Sequence, residues 1–441
     1  MKPLCRWFLF LLILSTSTAA AQNLNYEKQA RSFVNELARG DYAAIMQHFD
    51  ATMRSQLPEE KLKQIWQGLI AQTGEFQRQG RVFSQAKGPY TMVNVACIFA
   101  QTSLDCRVVF DQNGKISGLF FLPLQDAPAF PLPDYAKPKR YTEKELSFGK
   151  EPWILPATLT LPRTEEPVPA VVLVHGSGPN DRDETIGGNK VFRDIALGLA
   201  SRGIAVLRYD KRTLVHGREL DPATLTLQQE VIDDALAAVR LLRAHPAIDS
   251  SRVFVLGHSL GGMSIPRIAA ADKKIAGFII MAGPTRPLYS LLQEQYTYIF
   301  SLDSVISPLE QEKLDQLQQQ IATLQDSLAL HNSAAKELPL GLHPAYWQDL
   351  LAYDIRAAAR EITAPVLVLQ GGRDYQVSLA DFEGWKQALS QNPLARFILY
   401  DDLNHLFISG SGRSTPAEYQ KTGHVSVKVI EDIARWISEI P

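Results

Sequence analysis

Ser259, Asp374 and His405 stand at positions in this chain that could support nucleophilic catalysis. A serine hydroxyl attacks a carbonyl carbon well only when a base accepts its proton, and the base needs a third group to orient it. Ser259 lies in Gly257-His258-Ser259-Leu260-Gly261, after the apolar run Val253-Phe254-Val255-Leu256. A Gly-x-Ser-x-Gly turn between a strand and a helix holds the serine in a strained backbone with its hydroxyl above the sheet, and its glycines remove clashing side chains. The pentapeptide alone is a weak signal; the apolar run before it and the helical stretch after it give it weight. Asp374 follows the apolar run 366–369 in Gln370-Gly371-Gly372-Arg373-Asp374, and His405 follows 397–399 in Asp401-Asp402-Leu403-Asn404-His405. Both are expected at strand ends, in the chain order Ser, Asp, His. Among the competing histidines, His331, His343 and His424 follow no terminal strand, and Asp401 and Asp402 read as turn acids.

Attack by serine creates an oxyanion that needs preorganised donors. The Leu260 N–H, directly after the nucleophile, is one candidate. The other belongs to His175-Gly176-Ser177-Gly178-Pro179, with Ser177 preferred and Gly176 second. A phosphate-binding reading of Gly-Ser-Gly lacks both a Walker lysine and a Gly-x-Gly-x-x-Gly pattern. The neighbouring Asp181, Arg182 and Asp183 read as a loop-bracing charge cluster rather than substrate contacts. No metal and no organic cofactor is required by this chemistry.

The elements that must position these groups alternate between strand and helix patterns from residue 141 onward, which implies a mostly parallel sheet covered on both faces. Functional groups in such sheets lie beyond the carboxyl ends of the strands. The alternation stops over about 285–362. There Ser307-Pro308-Leu309-Glu310 forms a capping box before Leu314, Leu317, Ile321, Leu324 and Leu328 at helical spacing. This predicts a helical insertion acting as a lid, with Tyr346 and Trp347 lining a substrate pocket. The alternatives are a dimerising helix, and aromatics that only pack the lid's own helices.

Before residue 141 the pattern changes. Lys2 and Arg6, a short apolar run and Ala19-Ala20-Ala21 read as a signal peptide over 1–21, implying an exported protein with no stable membrane insertion after cleavage. An uncleaved anchor is the alternative, although the apolar run is short for a bilayer. Residues 22–125 read as a small α+β domain, helices first and then strands, and 126–140 as a proline-rich linker. Cys97 and Cys106 fall on adjacent strand-like runs, which predicts a disulfide across a hairpin, with two buried free thiols as the alternative. The 441-residue chain carries a formal charge of −2, so nothing marks it as a nucleic-acid binder.

Taken together, His175-Gly-Ser-Gly-Pro-Asn-Asp-Arg-Asp-Glu184, Tyr209-Asp210-Lys211-Arg212, Gly257 to Gly262, Gly371-Gly-Arg-Asp374 and His405 resemble α/β-hydrolases of the EstD carboxylesterase type, close to the S33-like serine hydrolases. After Asp-Lys-Arg the family usually continues with glycines, where this chain has Thr213-Leu214-Val215-His216. The resemblance implies an α/β-hydrolase fold with a helical lid and hydrolysis of small-molecule esters through an acyl-enzyme, with Ser259, Asp374 and His405 as triad. The preceding segment resembles, in pattern and position, an NTF2-like domain of unknown function. An S33-type aminopeptidase, anchored on Glu294, Glu310 or Asp303, is the rival enzyme; an inactive binding protein is the rival outside enzymes. Oligomeric state is left open.

Overall fold

The computed structural model describes residues 15–87, 90–124, 130–217 and 219–440. Most of the expected signal peptide and residues 125–129 of the proline-rich segment lie outside the described residues. The chain divides into two compact units, Met1–Pro131 and Leu132–Pro441.

The first unit opens with α1 (Ser15–Arg39), α2 (Tyr42–His48), α3 (Ala51–Gln56) and α4 (Glu59–Thr73). Gly40 ends α1 with φ 79°, a conformation that costs glycine little. Asp50 caps α3 by accepting from the Met53 N–H at 2.6 Å. β1 (Phe76–Lys87), β2 (Tyr90–Phe99), β3 (Ser103–Phe110) and β4 (Ile116–Pro123) then form an antiparallel sheet in sequence order. Phe33, Leu37, Ile45, Leu62 and Trp66 bury one helical face against Val93, Val95 and Val108 of the sheet.

The expected disulfide is absent: Cys97 and Cys106 are free, buried thiols. The cause is register. Cys97 stands opposite Leu104 and Cys106 opposite Val95, so the two cysteines are diagonal neighbours on one face. Diagonal positions lie roughly 7–8 Å apart, beyond the Cα separation that most disulfides tolerate. Contact with Cys97 and burial push the Cys106 thiol pKa up, which keeps it protonated.

The second unit begins with β5 (Tyr141–Lys150), β6 (Trp153–Pro162) and β7 (Val168–Val174), then a small hairpin of β8 (Thr185–Ile186) and β9 (Asn189–Lys190). α5 (Val191–Ala200), β10 (Ala205–Tyr209) and α6 (Arg212–Val215) follow. A π-helical turn (Gln228–Ile232) runs into α7 (Asp233–Ala244). Next come β11 (Ile248–His258), α8 (Leu260–Ala271) and β12 (Gly277–Met281). After the insertion the unit closes with β13 (Val366–Gly371), α14 (Leu379–Ala388), β14 (Ala395–Tyr400) and α15 (Val427–Glu439).

These strands form one eight-stranded sheet in the order β14-β13-β12-β11-β7-β10-β6-β5, parallel except where β6 pairs antiparallel with β10 and β5. β7 shows why the sequence runs are continuously apolar. Ala170, Val172 and Val174 face one core with Val239 and Ile265, while Val171 and Leu173 face another with Phe192, Ile195 and Ile433. With both faces covered, every residue of β7 but the partly buried Pro169 is buried.

The insertion contains α9 (Leu288–Phe300), α10 (Pro308–Gln325), α11 (Ser327–Asn332), α12 (Pro344–Leu351) and α13 (Ile355–Arg360). The capping box is present: Ser307 accepts from the Glu310 N–H, and Glu310 accepts from the Ser307 N–H. Leu314, Leu317, Ile321 and Leu324 are buried, and Leu317, Ile321 and Leu324 share a cluster with Leu292, Leu330, Leu338 and Trp347. The stripe that suggested a dimerising helix is therefore packed within the insertion. Leu328 falls beyond the end of α10 and is exposed.

Candidate active site

Ser259 occupies the turn between β11 and α8 at φ 52°, ψ −115°, a strained conformation for a residue with a side chain. Such a geometry costs on the order of 1–3 kcal/mol and persists only where the surroundings enforce it. Here the Ser259 N–H donates to Met281 O at 2.9 Å, and Ser259 O accepts from the Met263 N–H at 2.9 Å. The flanking glycines are required by close backbone approach. A Cβ at Gly257 would stand 2.3 Å from Gly261 O, and one at Gly261 would stand 2.2 Å from Val174 O. His258 and Leu260 are buried, while Ser259 is partly exposed. Leu260 opens α8, so its N–H has no acceptor within the helix and lies at the positive end of the helix dipole.

Asp374 and His405 come from the ends of β13 and β14, two and three strands away from β11. His405 Nδ1 lies 2.7 Å from Asp374 Oδ2, with both side chains almost fully buried. The other Asp374 oxygen accepts from the N–H groups of Gln376 at 2.8 Å and Val377 at 3.0 Å, and Gln370 Nε2 donates to Oδ2 at 3.2 Å. A carboxylate so held leaves the histidine one orientation. The His405 loop is docked beside the nucleophile, since its carbonyl lies 3.0 Å from His258 Nε2 and the two imidazoles are 4.8 Å apart. His424, a competitor in the sequence, pairs instead with Asp194 at 3.1 Å. Asp401 and Asp402 are exposed turn residues.

The loop after β7 lies against the nucleophile: a Cβ on Gly176 would be 3.2 Å from the Ser259 Cβ. The two oxyanion candidates in this loop separate clearly. The Gly176 N–H donates to Glu184 Oε1 at 2.8 Å and is therefore occupied, which removes the second choice. The Gly176 carbonyl accepts from Lys211 Nζ at 2.8 Å and Asn180 Nδ2 at 3.3 Å. In a trans peptide the C=O and the following N–H point in opposite directions. Pinning this carbonyl thus turns the Ser177 N–H to the opposite side of the loop.

The charge cluster braces the same loop. Arg182 bonds both oxygens of Asp210, at 3.1 and 2.8 Å, and also pairs with Glu145. Asp183 meets Arg208 at 3.0 Å and Lys190 at 2.8 Å. Burial opposes the Asp183 charge, but these cations outweigh it and hold its pKa down at about 2. Burial also lowers His175 to about 4, so it is neutral near pH 7.

The lid aromatics differ from expectation. Trp347 is fully buried in the insertion's own core, and its Nε1 donates to Pro339 O at 3.3 Å. Tyr346 is also buried, and its hydroxyl donates to Glu230 Oε2 at 2.6 Å. Helical spacing marks an inward face but does not say which interior that face meets; the pocket-wall assignment is corrected for Trp347, which packs within the insertion, whereas Tyr346 faces Glu230 outside it. Glu184, Lys211 and Glu230 were not foreseen as parts of the site. The first two lie in blocks whose dense charge beside apolar strands was the available signal. Among the described residues no group of three or more His, Cys, Asp or Glu side chains is placed to hold a metal.

This sheet order, with a strained serine following β11 and a helical insertion after β12, defines an α/β-hydrolase. Residues 171–419 match the alpha/beta hydrolase family, and the chain belongs to it. Residues 30–119 match a family described as a protein of unknown function, DUF3887. The chain is 40% identical over 412 residues to Esterase EstD of Thermotoga maritima, covering 93% of this chain and 95% of that protein. Among solved structures, it is similar to Est1E from Butyrivibrio proteoclasticus, with 16% identity, TM-score 0.43, and coverage of 67% of this chain and 98% of the other. It is also similar to the Pyrococcus furiosus esterase Pf2001, with 14% identity, TM-score 0.43, and coverage of 68% and 91%.

Proposed function

We propose that this protein is an exported carboxylesterase that cleaves small or medium acyl esters through an acyl-enzyme on Ser259. The observation that carries the mechanism is the 2.7 Å contact between His405 and Asp374, on a loop docked against the residue preceding Ser259. Ser259 Oγ attacks the ester carbonyl while His405 Nε2 takes its proton. The oxyanion is received by the N–H groups of Leu260 and Ser177. Collapse expels the alcohol, which takes the proton from His405. Water then attacks the acyl-enzyme with His405 again as base, releasing the acid and restoring Ser259. Asp374 keeps Nδ1 protonated throughout and so leaves Nε2 free to accept.

Ester chemistry is supported by the 40% identity to a protein named an esterase. Export is supported by the sequence of residues 1–21. The aminopeptidase reading finds little support in the acids it would use. Glu294 is paired with Arg286 at 2.6 Å, Glu310 is engaged in the α10 capping box, and Asp303 accepts from the Val305 N–H at 3.1 Å.

A panel of p-nitrophenyl esters beside aminoacyl-naphthylamides tests the reading, with fluorophosphonate labelling of wild type and Ser259→Ala. Ester turnover and labelling in wild type only, with turnover reduced at least about 10³-fold in Ser259→Ala, are expected. Amide turnover exceeding ester turnover, or an unlabelled wild type, contradicts it.

A further inference from the structure

Behind the Gly176–Ser177 peptide runs a line of buried polar groups that the mechanism above does not use. Lys211, just after β10, has a side chain only 3% exposed, and its Nζ meets Glu230 Oε1 at 2.6 Å as well as Gly176 O at 2.8 Å. Glu230 lies in the π-helical turn with a side chain 9% exposed. Its second oxygen accepts from the Tyr346 hydroxyl, which belongs to α12 of the insertion. Four segments distant in sequence thus meet in one chain of contacts: Tyr346, Glu230, Lys211 and the Gly176 carbonyl.

Burying an ammonium and a carboxylate is costly, and apolar residues of similar size often fill such a space with no loss of stability. What an apolar replacement could not do is hold a cation against a particular carbonyl. A π-turn inserts one extra residue into a helix and is frequent at functional sites. Here it carries the carboxylate that fixes Lys211.

We propose that Lys211, Glu230 and Tyr346 form a positioning relay that sets the direction and donor strength of the Ser177 N–H in the oxyanion hole, and that ties this setting to the seating of the lid. The proposal rests on the esterase mechanism above and on Ser177 as an oxyanion donor. Two physical effects carry it. A cation donating to the Gly176 carbonyl fixes the peptide plane, so the Ser177 N–H is aimed before substrate arrives and needs no reorganisation during attack. The same cation polarises the peptide, and hydrogen bonds in such chains strengthen one another. Glu230 keeps the ammonium in place, and Tyr346 occupies the carboxylate oxygen that Lys211 does not use. None of the three touches the reacting atoms; each acts through the peptide.

A brace with a purely structural role would change stability without a selective effect on the oxyanion. The experiment therefore measures kcat, KM and the inhibition constant of an aryl trifluoromethyl ketone, which adds to Ser259 and places an oxyanion in the hole. In Lys211→Met, kcat is expected to fall about 10- to 100-fold, less than or comparable to outright loss of a donor, with KM within about threefold. The trifluoromethyl ketone should weaken by the same factor as kcat. Tyr346→Phe, which removes a single oxygen, should fall about 3- to 10-fold along the same line. If Lys211→Met does not fold, Tyr346→Phe decides by the same criterion. Folded variants with wild-type kcat overturn the relay, as does a loss of kcat with unchanged inhibitor affinity. A wild type that hydrolyses no ester overturns the reading beneath the relay, and is recognised before any variant is made.

Discussion

Glu184 and His258 meet at 2.9 Å directly behind the nucleophile, with side chains 0% and 1% exposed. The contact lacks the alignment of a hydrogen bond and becomes an ion pair when His258 is protonated. Its reach is wider than two residues. The other Glu184 oxygen holds the Gly176 N–H, and the other His258 nitrogen lies 3.0 Å from the His405 carbonyl. The pair therefore fastens the oxyanion loop, the serine turn and the histidine loop to one another.

Removing the charge at Glu184 should be felt most in mildly acidic solution. Burial opposes both charges, yet each is favoured by its partner: His258 titrates above its ordinary value and Glu184 below its own. The pair's stabilisation is thus present between about pH 4.3 and 6.5, the unfolded values. It is lost as pH rises through the raised His258 pKa, and again as pH falls through the depressed Glu184 pKa. Glu184→Gln should cost about 3 kcal/mol at pH 6 and clearly less at pH 9. Urea unfolding of both proteins at the two pH values measures this; an equal cost at both would show that the pair is not ionised.

Trp347→Phe should lower stability by about 1–2 kcal/mol through lost volume and the lost bond to Pro339, without altering acyl preference. Ratios of kcat/KM between short and longer p-nitrophenyl esters check the second part. A shift beyond about threefold would place Trp347 at the substrate.

The diagonal register of Cys97 and Cys106 implies that both thiols are free in the folded protein. Unfolding in denaturant without reductant, in the presence of iodoacetamide, should add one carbamidomethyl group at each position by mass spectrometry. Unmodified positions that react only after reduction would show a bridge.

The Ser259 turn, Asp374 and His405 could be read from sequence because each follows an apolar run whose length and composition mark a strand end. The helix of residues 308–325 was legible from its capping box and stripe. What could not be read depends on partners distant in the chain. Glu184 acts through residue 258, and Lys211 through residues 176 and 230, and no local periodicity encodes such encounters. The cysteine error has a similar origin. Two strands were evident, but a two-residue offset in register separates opposite from diagonal neighbours, and the short connection between them does not reveal it. Trp347 was placed correctly on a buried face and wrongly against substrate, because a helical stripe is blind to the identity of its interior.

The two sheets also differ in how far apart along the chain their neighbours lie. In the first unit every strand pairs with the next one, so its strand pairings close short loops. In the second, β11 lies beside β7, and the core over β7 is completed by Ile433 of α15, some 260 residues later. Loop closure over such spans is slow, and folding rates fall as contacts become less local. During refolding the N-terminal meander should acquire its native signal first. The hydrolase sheet, with its apolar strands awaiting α15, then bears the longer exposure to aggregation.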